Sequence, residues 1–173
     1  MSPQNNDQIV IGRAKNALLS FFEQRLSVPK IYLDADWHGE KVDVLAIDRA
    51  GVGDVSVAML REASNLADDV LVQKLHSLPA HFKYLVTIPQ TASGREIAER
   101  DRVWDTLSRF PPLFADDGVG RIGYILVDFK SERPSITVPI SAERFRSNES
   151  IYDLAEAFAA SHTADFEVRE SSL

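Results

Sequence analysis

Asp43 stands inside KVDVLAID, a run that otherwise reads as a buried strand. A carboxylate in such a place either holds a cation or is neutralised by a basic neighbour, because an unpaired charge out of water is costly. The basic candidates are Arg61 and Lys41, and the preferred contact is Asp43 with Arg61. Glu23 and Glu62 are the carboxylates that could join Asp43 around a metal ion. Asp34 and Asp36 share a strand face and could also bind a cation, or simply form its solvent side. Asp48, Asp54, Asp116 and Asp117 fall in turns or loops, where carboxylates are ordinary. Other chemistries lack their residues. There is no cysteine, so disulfides, thiol catalysis and thiolate metal sites are excluded. His38, His76, His81 and His162 have no metal-ligand spacing, and His76 and His81 read as structural groups at a helix end. No GxSxG occurs, and the glycines of GVGRIG precede a strand where a dinucleotide fingerprint would follow one.

The elements that position these residues follow from periodicity. Residues 1–8 are polar and are expected to be disordered. Residues 9–26 read as an amphipathic helix with Ile11, Ala14, Leu18 and Phe21 or Phe22 in its stripe, closed by Pro29. Three closely spaced strands follow: KIYLDADW, KVDVLAID and VSVAMLRE. Alternation places Ile31, Leu33, Ala35 and Trp37 on one face of the first, and Val42, Val44 and Ala46 on one face of the second. Short turns make the three strands antiparallel neighbours, and their apolar content makes the second and third central. A helix is expected at 65–78 with Asn65 as its cap, then the strand FKYLVTI, parallel to an earlier one. Ser93 caps a helix reaching residue 109, IGYILVDF forms a further strand, and residues 135–140 return as an edge strand because of Pro139. Residues 150–161 form the last helix, with Ile151, Leu154, Ala155 and Phe158 facing inward. The whole is one α/β domain over residues 9–162, with a mixed central sheet of five or six strands flanked by helices and a loose tail at 163–173, in which DFEVRE could add a short strand.

Charge bounds the partners. The chain carries 19 Lys+Arg against 26 Asp+Glu, a net charge of -7. That gives no general attraction to phosphate backbones. Residues 1–90 carry 9 basic and 11 acidic side chains, against 10 and 15 in residues 91–173, so a polyanion face would belong to the first part. The first residues lack a hydrophobic run, and no segment approaches a membrane span. A cytoplasmic protein without a membrane partner is expected. The loop FPPLF is a candidate contact surface through Phe110, Leu113 and Phe114.

The order helix, three-stranded meander, helix, strand resembles the core of the PD-(D/E)XK restriction-endonuclease-like family. In that pattern GEKVDVLAIDR is similar to the strand carrying the Asp, and Asp43 is the matching residue. Glu23 matches the Glu often found on the first helix. The third strand aligns as VSVAMLRE, so the acidic position falls on Met59 and the Lys position on Arg61. The resemblance covers roughly residues 9–89. It implies a nuclease-like fold whose site is degenerate. Mg²⁺ takes oxygen ligands, Met59 offers a thioether, and Arg61 stays protonated and cannot act as a base. Strand alternation turns Glu62 to the other face unless a bulge re-aims it.

The first reading is therefore a non-catalytic nuclease-like domain with no cofactor, an interaction module for a protein or nucleic acid, the protein partner being another chain or a second copy of this one. The alternative is a divalent-metal nuclease using Mg²⁺ or Mn²⁺ on Asp43 and Glu23, with Glu62 as a relocated ligand and Arg61 on the phosphate. A third possibility is an unrelated α/β protein.

Overall fold

A computed structural model describes residues 3–50, 53–62, 69–88, 119–129, 131–147 and 150–168. The first helix, α1 (Pro3–Arg25), starts ahead of the expected Ile9 and takes in residues 3–8 of the polar lead. Ala14, Leu18 and Phe22 recur every fourth residue along it and are almost fully buried. Its end is fixed by Asp48, whose carboxylate accepts the backbone N–H groups of Ser27 (3.1 Å), Val28 (3.0 Å) and Ala50 (3.1 Å). Burial pulls this carboxyl upward, but the three N–H groups outweigh it and hold Asp48 below its ordinary value. One turn carboxylate thus ties the helix exit to the end of the second strand.

The meander forms as its spacing predicts. Strands β1 (Pro29–Trp37), β2 (Glu40–Asp48) and β3 (Val55–Glu62) are antiparallel neighbours. His38 and Gly39 both take positive φ, 51° and 80°, which turns the β1–β2 hairpin in two residues. After α2 (Asp69–Ser77), β4 (Phe82–Ile88) runs parallel to β3, as the intervening helix requires. Strand β5 (Gly123–Asp128) lies parallel to β4, and β6 (Ser135–Ile140) returns antiparallel at the edge, where Pro139 is tolerated. The last helix is α3 (Ile151–Ser161), and β7 (Phe166–Glu167) closes the other edge against β1. The order is β6-β5-β4-β3-β2-β1-β7.

The sheet therefore has seven strands where five or six are expected from the sequence. The extra one comes from the segment read as a loose tail. Two residues are too few to show alternation. Asp165 supplies the missing specificity: its N–H donates to Ile31 O (2.9 Å) and its carboxylate accepts Leu33 N–H (2.7 Å). The helix expected at 93–109, the Asn65 cap, and Phe110, Leu113 and Phe114 lie outside the described residues.

Both sheet faces are covered. Helix α1 packs on one, over Val44, Ala46, Ala58 and Leu60. Helices α2 and α3 pack on the other, over Leu45, Val57, Met59 and Leu85. Regular alternation fails at one place. Ile31 and Leu33 belong to the α1 face, but Ala35 and Trp37 belong to the opposite face. On β2 the same division separates Val42 from Val44 and Ala46. The register is unchanged across it, with Leu33 opposite Val44 and Ala35 opposite Val42. Asp34 lies between, at φ 53°, in the left-handed region that Asp tolerates better than most residues. That one dihedral changes the phase of the hairpin, and a pattern of apolar letters cannot register it. Among the described residues, no helix is long and apolar enough to cross a membrane.

Candidate functional site

The change of face brings Asp34 and Asp43 to facing positions, since the pairs on either side of them are Leu33 with Val44 and Ala35 with Val42. Lys15 of α1 reaches both. Its Nζ donates to Asp34 Oδ1 and lies 3.6 Å from Asp43 Oδ1. Lys15 and Asp43 are mostly buried, with 17% and 18% of their side chains exposed, while Asp34 is 45% exposed. The other oxygen of Asp43, Oδ2, accepts the backbone N–H of Leu60 at 2.6 Å. The β2–β3 ladder has its last paired residues at Val44 and Ala58, so the Asp43 carboxylate supplies an acceptor to β3 just beyond that point.

Asp43 is a partly buried carboxylate committed to an ammonium and a backbone N–H. The expected Asp43–Arg61 pair does not form; Arg61 turns its Nη1 onto Leu60 O at 2.7 Å. A lysine on the helix above competes better than an arginine on the neighbouring strand. Glu23 is exposed on α1 and makes no ion pair among the described residues. It lies two turns beyond Lys15, about 12 Å along the helix axis, so α1 delivers a cation to Asp43 and not a second carboxylate. Met59 is 2% exposed and packs into the cluster on the α2–α3 face, whereas Lys15 approaches Asp43 from the α1 face. Glu62 ends a β3–β4 ladder that runs in constant register from Ser56–Phe82 to Glu62–Ile88, without the bulge that re-aiming would need. His81 is structural, as read: its Nδ1 accepts Val55 N–H (2.9 Å) and its backbone N–H donates to Val55 O. Burial, with Arg144 adding to it and Asp54 opposing, lowers its proton affinity.

The residue missed by sequence reasoning is Lys15. It lies four residues after Ile11 and three before Leu18, so it flanks the buried stripe of α1. That position was the available signal, but the partner could not be named without the phase change at Asp34.

Chemically, the cluster is an ammonium between two carboxylates. Among the described residues, no group of three or more His, Asp or Glu could hold a metal ion. Mg²⁺ would have to displace Lys15 and would then find two side chains where it prefers a near-complete oxygen shell. The described residues around Asp43 do not fit a resident divalent ion. Comparison of the chain with known protein families, curated proteins and solved structures gives no match.

Proposed function

We propose that this chain is a non-catalytic, nuclease-like domain that works as an interaction module for a protein or nucleic-acid partner. The observation that carries the reading is the commitment of Asp43. Its two oxygens go to Lys15 and to Leu60 N–H, so the carboxylate that would organise a nuclease site maintains the fold instead. The order α1, β1–β3, α2, β4, with a parallel β3–β4 pair, supports kinship with the PD-(D/E)XK core. A groove of about 560 Å³ between α1 and the start of β6 is lined by Arg13, Asn16, Gln24 and Arg133, without a carboxylate. It is the first surface to probe for a partner.

One observation favours the alternative, a divalent-metal nuclease: Asp34 and Asp43 converge on one cation position. Calorimetric titration with Mg²⁺ and Mn²⁺, together with cleavage assays on DNA and RNA, separates the two. No saturable metal binding and no cleavage is the expected result. Metal-dependent cleavage that Asp43→Ala abolishes overturns the non-catalytic reading. Fluorescence anisotropy with labelled DNA and RNA then tells a nucleic-acid partner from a protein one, with Arg13→Ala and Arg133→Ala as the groove variants.

A further inference from the structure

A second basic centre lies on the opposite face of the sheet. Lys83 is the second residue of β4, paired with Val57 of β3, and is 3% exposed. Its Nζ donates to the carbonyl of His76 in the last turn of α2 at 2.6 Å and stands 4.3 Å from the centroid of the Phe145 ring. Phe145 is held in place by its N–H on His81 O (2.7 Å). It is also held by Gly120, where a Cβ would come within 2.6 Å of the ring. An ammonium has three N–H groups and one full charge. Lys83 meets a carbonyl and a ring face, and no carboxylate pairs with it among the described residues.

This ammonium lines a cavity of about 420 Å³. Arg146, His76 and His38 also line it, with Phe145 and Ile151 as apolar wall, and among the described residues no Asp or Glu takes part. That is a departure in a chain with 26 acidic side chains. Among the described residues, the carboxylates Glu40 and Asp54 are engaged with Lys74 and Arg144. A buried lysine that only capped α2 would need its carbonyl and nothing more. It would not account for a guanidinium and two imidazoles around the same space.

We infer that this cavity binds the phosphate group of a small phosphomonoester, with Lys83 as the buried anchor and Arg146 at the exposed rim. The volume lies in the range of small-molecule sites. Two fixed positive charges suit a dianion better than a monoanionic carboxylate, and guanidinium and ammonium together are a common phosphate donor set. Burial also pulls Lys83 down to about 8, and an anion seated against it would favour its charged form. The inference is independent of the role given to Asp43.

The test is calorimetric titration of the full chain at pH 7 and low salt with inorganic phosphate, glycerol 3-phosphate and acetate. Saturable one-to-one binding of both phosphate compounds is expected, with acetate at least about tenfold weaker. Lys83→Met and Arg146→Ala should each weaken phosphate binding about tenfold or more. Arg133→Ala, in the groove on the α1 face, should leave it unchanged. Circular dichroism checks that Lys83→Met folds, and the exposed Arg146 provides a variant that does not disturb the interior. Absence of saturable heat up to about 10 mM probe, equal affinity for acetate, or indifference to both cavity variants overturns the proposal. So does an equal loss in Arg133→Ala, which would mark general charge attraction.

Discussion

Two lysines on opposite faces of one sheet solve the problem of a buried cation differently. Lys15 sits between the carboxylates of Asp34 and Asp43, so its charge is answered by the chain itself. Lys83 is more deeply buried and is met by a carbonyl, an aromatic ring and further basic groups. The first arrangement is closed: intact, it leaves nothing for a ligand to add, and removing a member costs stability. The second has no carboxylate among the described residues, and burial lowers the proton affinity of its lysine. A satisfied charge marks architecture, and an unsatisfied one beside a cavity marks a place for a ligand.

The contrast is sharpest in the pH dependence of stability. Lys83 falls from 10.5 to about 8 in the folded chain, through burial. Below pH 8 both folded and unfolded chains carry the charge and the full burial cost is present. Between about 8 and 10.5 the folded chain has released the proton while the unfolded chain keeps it, so stability rises with pH, by about 3 kcal/mol in all. Tyr124 acts in the opposite sense. Burial, partly offset by its bond with Thr87, raises it to about 12, so above pH 10 the unfolded chain ionises first and stability falls. Urea denaturation across pH 7 to 11 should show a maximum near 10. Lys83→Met should remove the rising limb and gain about 1–3 kcal/mol at pH 7. A loss of stability in that variant would show that the lysine is a satisfied cap and would erase the contrast with Lys15.

On the other face the same type of substitution has the opposite sign. Asp43→Ala strips Leu60 N–H of its acceptor and leaves Lys15 with one exposed carboxylate, at a cost of about 2 kcal/mol. Asp43→Asn keeps an acceptor and should cost about half as much. Chemical denaturation midpoints distinguish these values. A neutral Asp43→Ala would mean that the carboxylate is not structural and would revive the metal reading. Lys15→Met is expected to cost about 1 kcal/mol and to uncover the Asp34–Asp43 pair, giving weak Mn²⁺ binding that calorimetry detects in the variant alone.

Most of the scaffold was legible in the residues. The three-stranded meander, the parallel β4 and the edge position of β6 follow from turn spacing, an intervening helix and Pro139. The stripe of Ala14, Leu18 and Phe22 is a helical period written plainly. The site was legible only in part. Asp43 stood out because a carboxylate in a strand demands a partner, yet the partner came from a helix whose register over the sheet no local pattern encodes. Lys83 carried the same signal, a lysine inside FKYLVTI, but its meaning depends on the end of α2 and on Phe145, 62 positions later in the chain. β7 was legible only as an option for DFEVRE within a loose tail, because its specificity lies in Asp165 and not in an apolar run.

The smallest expected effect tests why the Lys15 cluster exists at all. Asp34 has two roles, a left-handed backbone that changes the hairpin's phase and a carboxylate for Lys15. The side chain is 45% exposed, so the ion pair is worth little, about 0.5 kcal/mol. The backbone role is worth more, since an alanine in the left-handed region costs about 1 kcal/mol. Asp34→Gly and Asp34→Asn should both fall within about 0.5 kcal/mol of the parent, because each accepts φ 53°, while Asp34→Ala should lose about 1 kcal/mol. If Ala and Gly behave alike, the ion pair and not the dihedral holds the phase. The hairpin of the Gly variant would then be free to restore the alternation of Ile31, Leu33, Ala35 and Trp37, a change that hydrogen exchange at Ala35 and Val42 would reveal. If Gly is tolerated and Ala is not, the dihedral sets the phase. Lys15 then closes around carboxylates that the backbone has already brought together.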